Sequence, residues 1–392
     1  MPARTGRWHG EMRRSQSVAM IPAFHQISFL SWENHFSFVD GHSGRWCDCL
    51  LMNAKAIVFP EPKRVELRTV ELPKLKEWDI TVELETSAIS LGTERWALTG
   101  QRPDGDVTFP CIPGYLSVGK VVDCGASAGS IYSCGDRVNF LAAEIPEGYG
   151  GNWMCGHLTP AIVNGDPSKL RSFAGMPYVE KVPVGLAGEE ASLAGLAAVA
   201  CRGIDMAAIC SEDRVVVVGQ GVIGHAAAQI CRLRGARVLT ADTMPSRVEL
   251  SRRYAADVAV NSLEEDLAGR IAEFTEGRGA DVVIDTSGST KMIQQEVEFL
   301  KLYGKLVFQG WYPPPNTLDL HRMQLKFAQA VFPCGHSGDA VARCMRWMKE
   351  GLLRLQPLIT HRFRPEQAAE AYDLVLNRPQ ETMGIIFNWE AA

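Results

Sequence analysis

The stretch DRVVVVGQGVIG, residues 213–224, joins an apolar run directly to a glycine-rich turn. The β-branched run 215–218 is typical of a strand buried on both faces of a parallel sheet. Gly219 permits a tight turn, Gly221 lets the backbone approach a pyrophosphate, and Gly224 lets a helix pack closely on the strand. The stretch therefore predicts a dinucleotide-binding turn.

The residues after this turn favour a helix whose N-terminus faces the phosphates. Val222 and Ile223 lie at that N-terminus, where unpaired backbone N–H groups attract an anion. Helical patterns and apolar runs then alternate, which implies right-handed crossovers and a doubly wound α/β Rossmann sheet. Three of these runs lead to further residues predicted to bind the cofactor: 236–240 to Asp242, 281–284 to Ser287, and 304–309 to Gly310.

Asp242 also indicates which dinucleotide binds. A carboxylate at this spacing accepts a hydrogen bond from a ribose 2′-OH and repels a 2′-phosphate, so NAD is favoured over NADP. Arg247 lies nearby on the next helix. It could hold a phosphate, cover the adenine, or simply be a solvated helix residue.

Composition excludes several classes of protein. The 392 residues carry a formal net charge of −5 without a basic block, which argues against nucleic acid as the main partner. No apolar run reaches the length of a membrane span. The 11 cysteines contain no C-x-x-C pair and indicate reduced thiols in a cytoplasmic protein.

The chain divides into three predicted parts. Residues 1–51 lack a clear period and are interpreted as a disordered extension, because a second start occurs at Met52. Their histidines and cysteines have no metal-ligand spacing. Residues 52–184 read as a mainly β domain, completed by 351–392, and residues 185–350 as the Rossmann domain.

From Met52 onward the chain resembles the medium-chain dehydrogenase/reductases, the alcohol dehydrogenase superfamily. The matching segments, in order, are LGTE at 91–94, PG at 113–114, SVGKV at 117–121, GDRV at 135–138, the glycine turn at 219–224, LITHRF at 358–363 and AAEA at 368–371. The resemblance implies a GroES-like catalytic domain beside the Rossmann domain, an active site between them, and a homo-oligomer.

The departures from this family concern zinc. Zinc-dependent members have C-G-T-D where this chain has LGTE, and G-H-E where it has GYL, so Leu91 and Tyr115 replace two expected ligands. Leucine cannot coordinate a metal, and tyrosine is a poor substitute for imidazole. Only Cys155 lies where a four-cysteine structural site would follow. The resemblance therefore implies that no zinc binds.

Among zinc-free members, the segments ISLGTE at 89–94 and GWYP at 310–313 resemble bacteriochlorophyllide a dehydrogenase. That family oxidises a hydroxyethyl side chain on a chlorin ring with NAD. The resemblance implies a small-molecule alcohol or ketone as the substrate.

Without zinc, a protein group must stabilise or remove the hydroxyl proton. Thr93 matches the hydroxyl of the superfamily's proton relay, although a threonine here could simply stabilise a turn. Tyr115 could donate to the substrate oxygen or fill the vacated metal position. Glu94 could be a base, or a structural carboxylate neutralised by Arg95.

Four side chains are predicted to line the substrate pocket, as a wall against a planar ligand or as ordinary interface core: Trp96, Trp153, His157 and Trp311. The leading hypothesis is a zinc-independent, NAD-dependent dehydrogenase that interconverts a secondary alcohol and a ketone. An NADPH-dependent quinone or enone reductase is an alternative that Asp242 opposes. A non-catalytic dinucleotide-binding redox sensor is a third, and the retained Thr93 weighs against it.

Overall fold

The computed structural model describes residues 52–102, 107–150, 154–171, 176–177, 179–312, 317–336 and 339–390. The predicted extension 1–51 and Trp153 lie outside this part of the chain. No helix among the described residues is long and apolar enough to cross a bilayer.

Eighteen strands are present in the described residues: thirteen form two large sheets, three form a third sheet, and two pair only with each other. In chain order they are β1 (Asn53–Val58), β2 (Glu66–Glu71), β3 (Asp79–Ala88), β4 (Ser117–Cys124), β5 (Arg137–Phe140), β6 (Leu158–Thr159), β7 (Ala161–Asn164), β8 (Leu170–Arg171), β9 (Met176–Pro177), β10 (Val179–Lys181), β11 (Arg214–Val218), β12 (Arg237–Asp242), β13 (Val258–Asn261), β14 (Ala280–Asp285), β15 (Leu300–Phe308), β16 (Gln329–Val331), β17 (Ile359–Phe363) and β18 (Gly384–Asn388).

Ten α-helices accompany them in the same described residues. They are α1 (Leu91–Thr99), α2 (Gly188–Ser192), α3 (Ala194–Met206), α4 (Val222–Leu233), α5 (Pro245–Tyr254), α6 (Leu267–Phe274), α7 (Thr290–Phe299), α8 (Leu320–Leu325), α9 (Ala340–Lys349) and α10 (Ala368–Asn377).

The Rossmann sheet predicted from the glycine turn is confirmed. Six parallel strands have the order β13-β12-β11-β14-β15-β16, with the strand order reversing between β11 and β14. The valines of β11 are at most 5% exposed, as expected for a central strand covered on both faces. Because parallel strands end at one edge, the turns after β11, β12, β14 and β15 meet there, which is where such folds bind ligands.

The second large sheet is assembled from both ends of the described chain. It has the order β10-β5-β4-β3-β18-β17, and β7 also pairs with β3. The C-terminal strand β18 runs antiparallel to β3, with Ile386 opposite Ala88. This pairing agrees with the predicted return of the tail, and the domain limits at residues 184 and 351 remain predictions.

The main local difference from the sequence-based expectation is α1, which lies within a region predicted to be all-β. Ser90 precedes the helix, and its backbone N–H donates to the Glu94 side chain at 2.8 Å. Gly100 ends the helix with φ 68°, a left-handed conformation that glycine adopts without a steric penalty. A second difference is that β15 begins at Leu300, before the expected Gly304.

Candidate active site

The glycine turn has the close contacts that its spacing predicts. Gly219 has φ +87°, and a Cβ atom at Gly224 would lie 1.9 Å from the Gly219 carbonyl oxygen. A Cβ atom at Gly221 would meet no protein atom within 4 Å. Gly224 is therefore required by packing, whereas the space in front of Gly221 is open for a ligand. Val222 and Ile223 open α4 immediately beyond it.

The turns after β14 and β15 form the neighbouring wall of this edge. A Cβ atom at Gly310 would lie 2.7 Å from the Gly288 backbone nitrogen, so the two turns touch through glycines. Asp285 is fully buried and accepts hydrogen bonds from the Ser287 backbone N–H at 2.8 Å and from its hydroxyl at 2.6 Å. Ser287 itself is exposed at the edge where a dinucleotide would lie.

Asp242 lies at the end of β12, as predicted, and is only 8% exposed. Its carboxylate accepts from the backbone N–H groups of Gln220 at 2.6 Å and Met244 at 2.8 Å. Arg247 lies 3.9 Å from it and donates to the Thr382 carbonyl at 2.9 Å. Asp242 thus fixes the glycine turn and keeps lone pairs that could accept from a ribose hydroxyl.

Three hydroxyl groups meet at the start of α1. The Tyr115 phenol donates to Ser90 Oγ at 2.5 Å and lies 3.3 Å from Thr93 Oγ1. Burial raises the pKa of Tyr115 above its ordinary value, while the Ser90 hydrogen bond acts in the opposite direction. The phenol therefore keeps its proton at neutral pH. We call Ser90, Thr93 and Tyr115 the hydroxyl cluster.

Glu94 is predicted as a base or as a structural carboxylate, and the structure places it inside the protein. Its side chain is fully buried, and one carboxylate oxygen lies 3.1 Å from His157 Nε2 and 2.5 Å from the Tyr372 hydroxyl that donates to it. Burial, followed by the charge of Glu94, raises the pKa of Tyr372 well above its usual range. Arg95, the expected neutralising partner, is exposed instead. These contacts favour the structural alternative for Glu94.

His157 is predicted to line the substrate pocket, and the structure places it inside the protein. The side chain is fully buried, and its Nδ1 lies 2.8 Å from Ser87 Oγ, which also accepts a hydrogen bond from the Trp389 indole at 2.8 Å. Both ring nitrogens are therefore used inside the protein. The imidazole ring packs closely on the backbone at Gly114, where a Cβ atom would lie 2.6 Å from the ring.

The aromatic residues predicted near the substrate do come together where the structure describes them. The rings of Trp96 and Trp311 meet edge to face at 6.2 Å, and Trp311 is 50% exposed. The Arg102 guanidinium lies 5.7 Å from the Trp311 ring. This contact joins α1 to the turn after Gly310, so the hydroxyl cluster and the dinucleotide edge are neighbours.

The side chains at the usual zinc position do not fit a metal. Leu91 provides no donor atom, and the Tyr115 phenol is held by Ser90. Across the described ranges, no group of three or more His, Cys, Asp or Glu side chains is arranged to hold an ion. The Cys155 thiol is buried, and burial raises its pKa, which disfavours the thiolate that a metal needs.

Sequence reasoning missed Ser90, Tyr372 and Ser87. Each is an ordinary residue in its local segment, and its role depends on a partner that is far away in sequence, up to 302 positions for Ser87 and Trp389. The only available signal was the serine immediately before LGTE, in a position suited to a helix N-cap.

Comparison with known proteins gives matches along most of the chain. The zinc-binding dehydrogenase family matches residues 222–348, which do not include the hydroxyl cluster. An alcohol dehydrogenase from Cupriavidus necator is 28% identical over 356 residues, covering 83% of this chain and 95% of that protein.

Solved structures share the fold. A protein from Sinorhizobium meliloti 1021, named as a zinc-binding dehydrogenase and bound to NADP, superposes with a TM-score of 0.74 at 19% identity, covering 86% of this chain and 99% of the other. An Escherichia coli CFT073 chain, named as a short chain alcohol dehydrogenase and complexed with NADH, gives 0.73 at 18% identity, with coverage of 86% and 99%. A Rossmann sheet beside a β-rich domain is thus the shared architecture.

Proposed function

We propose that this chain, an alcohol dehydrogenase-like oxidoreductase of the medium-chain dehydrogenase/reductase type, uses NAD without zinc to interconvert a secondary alcohol and a ketone. The contact between Trp96 and Trp311 carries the proposal. Thr93 and Trp96 are three residues apart on α1 and share one helix face. The contact therefore brings the hydroxyl cluster to the edge where the glycine turn would hold the dinucleotide.

The dinucleotide, when bound, supplies hydride transfer. The turn at Gly221 and the N-terminus of α4 would hold its pyrophosphate, and Asp242 its ribose. Support for NAD over NADP comes from the Asp242 carboxylate, which would repel a 2′-phosphate. The nearby Arg247 donates to the Thr382 carbonyl at 2.9 Å and lies 3.9 Å from the Asp242 carboxylate. Related structures carry either NADP or NADH.

The hydroxyl cluster would bind the substrate hydroxyl in place of the metal that zinc-dependent dehydrogenases use. Thr93 would accept a hydrogen bond from the hydroxyl of the alcohol, and the Tyr115 phenol lies 3.3 Å behind it. Exposed Trp311 and its partner Trp96 would stack against the flat part of the substrate. A hydroxyethyl chlorin, the substrate class suggested by the ISLGTE and GWYP segments, is such a flat molecule.

The cofactor assignment is tested by titrating the full-length protein and Asp242→Ser with NAD and NADP. We expect the variant to lose NAD affinity at least tenfold and NADP affinity much less. Asp257→Ser is the matched control, because Asp257 accepts from the Val238 backbone N–H at 2.7 Å, near the opposite end of the same strand. Equal losses for both dinucleotides would overturn the role of Asp242.

The chemistry is tested by alcohol-dependent NAD reduction over a panel that includes hydroxyethyl chlorins, before and after chelator treatment. Retained turnover after chelation is the expected result. Loss of turnover that added zinc restores would contradict the zinc-free proposal.

Thr93→Val should lower turnover with little change in NAD affinity. Unchanged turnover would remove Thr93 from the mechanism.

A further inference from the structure

Ser90 occupies the N-cap position of α1 but does not cap the helix. Serine is favoured there because its hydroxyl accepts from the first backbone N–H groups of a helix. Within the described helix, Ser90 makes no such side-chain bond. Its hydroxyl lies instead 2.5 Å from the Tyr115 hydroxyl, and the residue is only 5% exposed. The Ser90 hydroxyl therefore contacts Tyr115 instead of capping the helix.

The direction of this hydrogen bond decides what the phenol can do. A phenol has one proton, and burial keeps it on Tyr115. When that proton is donated to Ser90, the phenol oxygen becomes an acceptor for Thr93, which lies 3.3 Å away. Thr93 then donates to the phenol, and its own lone pairs are left to accept from a substrate hydroxyl. If the phenol donated to Thr93 instead, Thr93 would have to donate elsewhere.

The rest of the network holds Ser90 in place. Its backbone N–H donates to Glu94 at 2.8 Å, and Glu94 is fixed by His157 and Tyr372. Ser90 is thus the residue through which the buried carboxylate and the hydroxyl cluster are connected. Since Ser90 is 5% exposed, bulk water has little access to replace its hydroxyl.

We propose that Ser90 is a positioning residue that sets the hydrogen-bond direction in the Tyr115–Thr93 pair and so prepares Thr93 to accept from the substrate alcohol. The proposal rests on the proposed function. It assigns Ser90 no direct contact with the substrate. Its effect on turnover must therefore pass through Tyr115.

The experiment compares Ser90→Ala, Ser90→Thr, Tyr115→Phe and the double variant Ser90→Ala/Tyr115→Phe in the full-length protein. We expect Ser90→Ala to lower kcat by about 10- to 100-fold with little change in the KM for NAD. Ser90→Thr keeps the hydroxyl and should stay within about threefold of the parent. Ser90→Ala should also shift the pH profile of kcat.

The double variant gives the decisive comparison. In the Tyr115→Phe background, Ser90→Ala should cause no further loss of kcat. An equal loss in both backgrounds, or no loss in either, overturns the proposal. Ser192→Ala is the control for removing a buried serine, because Ser192 is buried and its hydroxyl donates to the Glu189 backbone carbonyl at 2.7 Å. It should leave kcat unchanged.

Thermal unfolding separates this proposal from the proposed function. The melting temperatures of the two single variants and the double variant should be non-additive, because the same hydrogen bond is lost in each. If no alcohol is oxidised but the non-additivity is observed, the proposed function fails and the Ser90–Tyr115 pairing is supported. Additive shifts overturn the pairing whatever the activity.

Discussion

The dinucleotide edge and the network around α1 are built in opposite ways. At the dinucleotide edge, glycines and backbone groups define the shape, and Gly219, Gly221 and Gly224 lie within six consecutive residues. Around α1, side chains from distant segments meet, with Glu94 contacting His157 and Tyr372. The first region is sensitive to added volume, and the second is sensitive to lost hydrogen bonds.

This difference decides which kind of substitution informs on each region. At the glycine turn, a single methyl group tests whether space is filled by protein or kept open for a ligand. In the α1 network, removal of one partner leaves the others buried without compensation, which costs more than the bond itself contributes. The following predictions are arranged by the size of the expected effect.

The largest effect is expected for Glu94→Ala. The change leaves His157, Tyr372 and the Ser90 N–H without their carboxylate, and breaking a buried charged partner costs roughly 3–5 kcal/mol. Urea unfolding at pH 7 measures it. The control is Glu189→Ala, which breaks a partly exposed ion pair with Arg362 and should cost under about 1 kcal/mol. Similar losses for both variants would show that the α1 network is not a stability element.

The second prediction concerns Glu296, on α7 behind the dinucleotide edge. It is fully buried, and its carboxyl group lies within reach of the Asp285 carboxylate. Burial, and then the charge of Asp285, raises the pKa of Glu296 to about 9. The folded protein thus keeps a proton that the unfolded chain loses near its ordinary pKa of 4.5. Stability should therefore fall as pH rises from about 4.5 to about 9.

Glu296→Gln should remove this part of the pH dependence. From pH 5.5 to 7.5 we expect the parent to lose up to about 2.7 kcal/mol through this group, because each of the two pH units contributes up to about 1.4 kcal/mol. Urea unfolding of the parent and the variant at both pH values measures the difference. Parallel slopes for the two proteins would mean that Glu296 is ionised in the folded state.

The smallest expected effect separates Gly221 from Gly224. Gly221→Ala should leave the melting temperature unchanged, since its Cβ atom meets no protein atom within 4 Å. It should weaken NAD binding by about tenfold, or about 1.4 kcal/mol, if the pyrophosphate passes over this residue. Gly224→Ala serves as the contrast, because its Cβ atom would clash with the Gly219 carbonyl and lower the melting temperature. Unchanged NAD affinity in Gly221→Ala would place the pyrophosphate elsewhere.

The Rossmann sheet was predictable because its signals are local. The valines of β11, the three glycines and Asp242 follow one another within about thirty residues, and each has a single physical requirement. The helix α1 was not predicted, because its Gly92 and Thr93 are weak helix formers. Its start depends on the contact between Glu94 and the Ser90 backbone.

The candidate site shows the same division. The structure places Tyr115 3.3 Å from Thr93 and brings Trp96 against Trp311, and the roles of these residues stay predictions. The burial of His157 was not predictable, because sequence cannot tell a cleft histidine from one enclosed by Ser87 and Glu94. The tertiary structure shows its position, because both ring nitrogens form hydrogen bonds inside the protein.

The sequence by itself determined the parallel sheet and the glycine turn, together with the leucine and tyrosine at the usual zinc-ligand positions. These features depend on residue type and short spacing, which constrain the backbone directly. Tertiary structure alone decided that Glu94 and His157 are buried, and that Ser90 meets Tyr115 rather than capping its helix. The reason is that a buried polar group takes whichever partner the fold brings near, and that partner can be hundreds of residues away.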